Sequence, residues 1–185
     1  MRLLLSLHMI LRHAVSIFAL PVLVAIIVPA LLVSLFPFAV LWSFQYSTAI
    51  SLLITGGLLT GIGFVFLFST IKLFIKKGEG TIAPWNPTRK LIVNGFYSHV
   101  LNPMHIGVFL ILIGESILIG SLPLTFWTLL FIAGNLIYIP LIEEQRLAKR
   151  FGDEYQIYKK NVPRWIPRLS SWKSIPQTLN PSNKA

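Results

Sequence analysis

The chain has 185 residues, 55% of them apolar and only 12% charged, with a formal charge of +10. Water-soluble domains carry about a quarter charged residues, so this composition excludes an ordinary soluble fold and points to a bilayer as the solvent. The basic residues flank apolar runs, which assigns them to lipid headgroups and membrane topology, not to nucleic acid. With no cysteine, the chain has no disulfide, thiolate metal ligand or cysteine nucleophile.

Arg2 and Arg12 precede an apolar run. It is far longer than the roughly 7–15 residues of a signal-peptide core, so it reads as an uncleaved span. Residues 14–71 contain no Lys, Arg, Asp or Glu. At roughly 20 residues per span this predicts two helices, about 15–38 and about 49–74. The break falls near Trp42-Ser43-Phe44-Gln45-Tyr46-Ser47, whose aromatic residues suit a membrane interface. Pro21, Pro29 and Pro37 predict kinks in the first span. In the second, Gly56, Gly57, Gly61 and Gly63 predict a packing face, with Gly57 and Gly61 as its GxxxG.

Lys72, Lys76 and Lys77 end the second span, and Gly78–Lys90 reads as a structured loop. The polar, aromatic stretch Asn94–Gly107 follows and holds His99 and His105. The third span runs from near His105 to about Ile119 and the fourth from about Leu124 to Ile142, joined by the turn Gly120-Ser121-Leu122-Pro123. A basic tail, helical to about Asn161, completes the chain. The outer loops 43–48 and 120–123 are uncharged, and all sixteen Lys and Arg lie elsewhere. The positive-inside rule therefore places both termini and the central loop in the cytoplasm, with Trp42 and Trp127 at the outer interface and Trp85, Trp165 and Trp172 at the inner one. The expected fold is all-α: a single integral-membrane bundle over residues 1–185, with about four transmembrane helices.

Polar groups that a plain bundle does not need concentrate on the cytoplasmic side. Asn102-Pro103 either caps and opens the third helix or contributes to a site. Glu143-Glu144 run against the basic trend. Glu143 either pairs with Arg146 one turn on, or one of the two carboxylates holds a ligand's amino group, sulfonium or ribose. Glu115 lies inside the third span, where an ionisable group is costly and marks function. Its other reading is a protonated carboxyl bonded between helices, with Asn135 as partner. His99 and His105, six apart, match no metal motif, and neither a Walker A loop nor a dinucleotide fingerprint occurs.

Two blocks together carry a resemblance. The first is Gly95-Phe96-Tyr97 followed by Asn102-Pro103-Met104-His105-Ile106-Gly107. The second is Glu143-Glu144, Phe151-Gly152-Asp153-Glu154-Tyr155, Tyr158 and Val162-Pro163-Arg164-Trp165-Ile166-Pro167. In this order they resemble the integral-membrane methyltransferases that include isoprenylcysteine carboxyl methyltransferase and the phospholipid N-methyltransferases. Gly78–Trp85 is similar to a run in bacterial members, which implies a multi-pass protein of the bacterial inner membrane. The resemblance covers roughly residues 76–168, leaving residues 1–75 as N-terminal spans and 169–185 as a tail.

The resemblance implies a cytosolic-side pocket for S-adenosyl-L-methionine and a lipophilic acceptor in the bilayer. Tyr97, Asn102, Pro103, Met104, His105, Glu143 and Glu144 would contact the cofactor, with Glu144 favoured for direct contact. An amine acceptor must lose a proton, for which His99, His105 or a glutamate, Glu115 included, would be the catalytic base. The sequence departs from the family pattern at Leu101, commonly Arg, and at His105, more often Tyr. Two rival readings are a membrane sterol or lipid reductase using NADPH and a non-catalytic membrane scaffold. Oligomeric state is not legible.

Overall fold

A computed structural model describes residues 20–37, 46–77 and 91–173. The start of the expected first span, the Trp42–Gln45 part of the break, Trp85 with its loop, and residues 174–185 lie outside the described residues.

The described residues form helices and no strand. Helix α1 spans Leu20–Leu35. Its interior loosens into a π turn over Leu23–Ile27, two residues before Pro29. Val28 N–H bonds the Leu23 carbonyl, five residues back. In that register residue 29 would bond the Val24 carbonyl, but proline has no N–H to give. The indole Nε1 of Trp127 donates to that carbonyl instead, at 3.4 Å. A proline inside an apolar helix is thereby satisfied by a neighbour.

Helix α2 spans Tyr46–Lys77, and its apolar part, Ala49–Phe74, coincides with the expected second span. Ile50, Leu53, Ile54, Leu58, Ile62, Val65 and Phe68 are all exposed along it. So continuous an apolar stripe is unstable in water and natural in lipid. Helix α3 spans Pro103–Ile119 and α4 spans Leu122–Tyr138. Gly120, at φ 67°, ends α3 in the left-handed region, and the Ser121 hydroxyl accepts from Leu124 N–H to start α4. Ser116 and Thr128 share a hydrogen bond of 2.9 Å between these helices.

Two described helices are long and apolar enough to cross a membrane, α2 and the continuous rod that begins with α4. The apolar helices α1 and α3 are shorter.

The glycine face lies elsewhere than the GxxxG spacing predicts. A Cβ at Gly57 or Gly61 would meet nothing within 4 Å. A Cβ at Gly63 would lie 2.6 Å from the Gly107 carbonyl oxygen, and one at Gly114 would lie 2.7 Å from the Gly56 carbonyl oxygen. The antiparallel helices α2 and α3 thus approach at two glycine pairs, 56 with 114 and 63 with 107. Both members of each pair recur after seven residues, which keeps them on one face of each helix. Below this seam a core of Val24, Ala25, Leu67, Ile71, Met104, Val108, Ile111 and Leu112 joins α1, α2 and α3.

Beyond Tyr138 the chain continues through a π turn, Ile139–Glu143, that contains Pro140, into helix α5, Glu144–Asn161. The apolar run stops at Ile142, and α5 is polar. Gly152, at φ 55°, bends it.

Candidate functional site

Between α2 and α3 the chain makes a short 3-10 turn, Gly95–Ser98. Gly95 opens it at φ 61°. Phe96 stacks on Phe66 of α2 at 4.3 Å, and Tyr97 meets Phe74 edge-on at 5.8 Å. The turn is therefore anchored to the end of α2.

The segment after α5 folds back over this turn as a strap. Leu101 N–H bonds the Pro163 carbonyl at 2.9 Å, Arg168 N–H bonds the His99 carbonyl at 3.0 Å, and Trp172 N–H bonds the Ser98 carbonyl at 2.9 Å. The Tyr158 hydroxyl donates to the Tyr97 carbonyl at 2.6 Å. Beneath the strap, Leu101, Tyr155, Tyr158 and Val162 form a second buried cluster with Phe151 and Trp172 packed against it. Leu101 is 7% exposed there. An apolar side chain at this position is part of the packing that holds the strap down.

The strap delivers Arg164 to the glutamate pair. Its guanidinium makes a two-pronged ion pair with Glu144, Nε to Oε1 and Nη2 to Oε2, the latter at 3.0 Å. Lys159 Nζ adds a contact to Oε2 at 2.6 Å. Burial alone would push the Glu144 carboxyl up, but the hydrogen bonds from Arg164 and Lys159 hold it below the ordinary range. Both oxygens of Glu144 are thus committed to protein cations. Its side chain is 3% exposed, against 36% for Arg164 and 38% for Lys159.

Glu143 is the contrasting carboxylate. It is half-buried, and no described residue bonds it. Burial pushes its carboxyl up, the negative Glu144 adds to this, and Arg146 opposes it through space. The first of the two alternatives, an ion pair of Glu143 with Arg146, is not among the ion pairs of the described residues; Arg146 acts on Glu143 through space.

Asn102 immediately precedes α3 yet caps nothing with its side chain. Its amide Nδ2 donates instead to the Arg164 carbonyl at 3.3 Å. The fold thereby brings Asn102, Glu144 and Arg164 into one bonded chain, with Glu143 next in sequence. Arg164 is the member that sequence reasoning did not single out. The available signal was an arginine between Pro163 and Pro167 in a block already recognised.

The remaining expected residues distribute as follows. Pro103 is buried at the first turn of α3, Met104 belongs to the membrane-side core, and His105 packs edge-on against Phe109. Phe109 in turn meets the strap's Trp165 at 5.5 Å. His99 donates from Nδ1 to the Arg168 carbonyl at 2.8 Å, which leaves Nε2 as an acceptor. Tyr97 and His99 line a cavity whose walls include neither Asn102 nor the glutamates. Glu115 lies twelve residues along α3 from Pro103, about 18 Å up the helix at 1.5 Å per residue. One of its oxygens, Oε2, has no hydrogen-bond partner among the described residues. Asn135 does not supply one; its Nδ2 donates to the Phe131 carbonyl at 2.8 Å.

The profile of the phospholipid methyltransferase family matches residues 51–154. The chain belongs to that family. Over 84 residues, 45% of the chain, it is also 32% identical to a protein-S-isoprenylcysteine O-methyltransferase of Schizosaccharomyces pombe. That stretch covers 36% of the yeast protein's own length. No solved structure matches. The family match contains Asn102, Glu143 and Glu144 and ends short of Arg164.

Proposed function

We propose that the protein transfers a methyl group from S-adenosylmethionine to a lipophilic acceptor, at the cytoplasmic face of a four-span membrane bundle with both termini inside. Membership of the phospholipid methyltransferase family supports the reaction class. The observation that carries the site is the asymmetry of the glutamate pair: Glu144 is neutralised by Arg164 and Lys159, while Glu143 is half-buried and bonded by no cation among the described residues. A half-buried carboxylate that no described cation bonds, one position before the Glu144–Arg164 pair, is complementary to the sulfonium of that cofactor, so the residues present fit that group.

When bound, the cofactor supplies an electrophilic methyl on sulfur, and transfer is an in-line displacement governed by alignment and exclusion of water. In this reading Glu143, not Glu144, takes the direct contact with positive charge. Glu144 fixes the guanidinium of Arg164, and Asn102 fixes the strap's backbone. The strap and Trp165 shield the start of α3 from water. A carboxylate or thiolate acceptor needs no base. For an amine acceptor, Nε2 of His99 is the open proton acceptor on the same segment.

The test is thermal unfolding of the detergent-purified full chain with S-adenosylhomocysteine and, separately, with NADPH. Stabilisation by the first alone, lost in Glu143→Gln and Asn102→Ala, is the expected result. Stabilisation by NADPH alone moves the protein to the reductase reading, and stabilisation by neither leaves the scaffold reading.

A further inference from the structure

A cavity of about 660 Å³ lies on the α2 side of the 3-10 turn. This is within the size of small-molecule and lipid-chain sites. Its walls are Phe66, Ser69 and Lys72 of α2, Phe96 and His99 of the turn, and Ser171 of the strap, among others. We propose that this cavity binds a membrane lipid with an anionic head, whose head meets Lys72 and whose chain lies against Phe66 and Phe96.

Position argues for a ligand from the bilayer. Phe66 to Lys72 covers the last two turns of the apolar part of α2, which ends at Phe74. These residues span about 9 Å along the helix, the depth over which acyl chain gives way to headgroup. Phe66 lies at the deeper end and Lys72 at the outer rim. The exposed side chains of Val65 and Phe68, at 57% and 56%, continue the apolar surface from the cavity into lipid.

Charge argues for an anionic head. Among the described residues the walls carry the cation Lys72 and no acidic residue. Lys72 is exposed, and no described carboxylate pairs with it. The hydroxyl of Ser69 adds a hydrogen-bond donor at the same level, while that of Ser171 donates to Ser98 at 2.8 Å. An apolar lining with a serine hydroxyl and a single lysine at its rim matches an amphiphile better than a free anion. The cavity shares no wall with Asn102, Glu143, Glu144 or Arg164; His99, the base proposed for an amine acceptor, is the one group common to it and the methyl-transfer reading.

The experiment is native mass spectrometry of the full chain with phosphatidylglycerol and with phosphatidylcholine of identical chains. The wild type should retain phosphatidylglycerol more tightly. Lys72→Gln should weaken phosphatidylglycerol about five-fold, the effect of one interfacial charge, and leave phosphatidylcholine unchanged. Ser69→Trp, or Ser171→Phe from the opposite wall, should expel both lipids while the melting temperature stays near that of the wild type. Lys149→Gln removes the same charge from the exposed face of α5 and should change nothing. Equal weakening by Lys72→Gln and Lys149→Gln would show diffuse attraction and overturn the proposal. So would unaltered lipid retention in both filled-cavity variants, or full displacement of lipid by inorganic phosphate.

Discussion

Removing Arg164 should destabilise the protein more than removing the carboxylate it pairs with. The Glu144 side chain is 3% exposed, while Arg164 and Lys159 are each more than a third exposed. In Arg164→Ala the buried carboxylate keeps only Lys159. Stranding a buried charge entirely costs about 3–5 kcal/mol, and the remaining lysine should hold the loss to about 2 kcal/mol. In Glu144→Gln the two cations turn into water, and the cost falls to about 1 kcal/mol. For a chain of this size the loss of about 2 kcal/mol in Arg164→Ala lowers the melting temperature by about 4–8 °C. Adding Glu144→Gln to Arg164→Ala should recover part of that loss, because it removes the stranded charge. Tryptophan fluorescence during unfolding in detergent reads all three variants. If Glu144→Gln costs as much as Arg164→Ala, or the double variant is the worst of the three, the burial asymmetry does not govern this site.

Glu143 should behave oppositely. Its folded-state value is raised, so its ionisation opposes folding above the unfolded carboxylate value. Glu143→Gln is expected to raise the melting temperature at neutral pH, with the gain vanishing below about pH 4, where the unfolded carboxyl is also protonated. Glu144 has a lowered value, so its stabilisation is complete above about pH 4.3 and fades as pH falls through the folded value. An acid titration of stability should lose its low-pH limb in Glu144→Gln. At the helix seam, Gly63→Ala should cost about 2 kcal/mol by overpacking, whereas Gly57→Ala should be neutral or stabilising by up to about 1 kcal/mol. Parallel melting curves of the two alanine variants distinguish the seam from the exposed glycines.

The apolar run behind α2 was legible to within a few residues, because a span's length and absence of charge are one-dimensional properties. The packing face was not. GxxxG spacing marks where helices can approach, but Gly107 and Gly114 on α3 select which α2 glycines are used, and that choice lies in the partner. Asn102 illustrates the same limit. Its place before Pro103 reads as a cap, yet its side chain reaches a carbonyl 62 residues away. Arg164 escaped notice because it pairs with Glu144 across 20 residues and a chain reversal, beyond any helical period. Leu101 reads as a departure from a pattern and proves to be a buried residue under the strap. The glutamate pair was legible as unusual, but its division into one neutralised carboxylate and one that no described cation bonds depends on the strap.

The most direct measurement is transfer of a labelled methyl group from S-adenosylmethionine into the lipid fraction of membranes containing the full chain. The account predicts organic-phase label that requires the protein and falls at least about ten-fold in Glu143→Gln. Label that never leaves the aqueous phase across prenylated carboxylates, lipid amines and lipid thiols, or enters equally with Glu143→Gln, would contradict it.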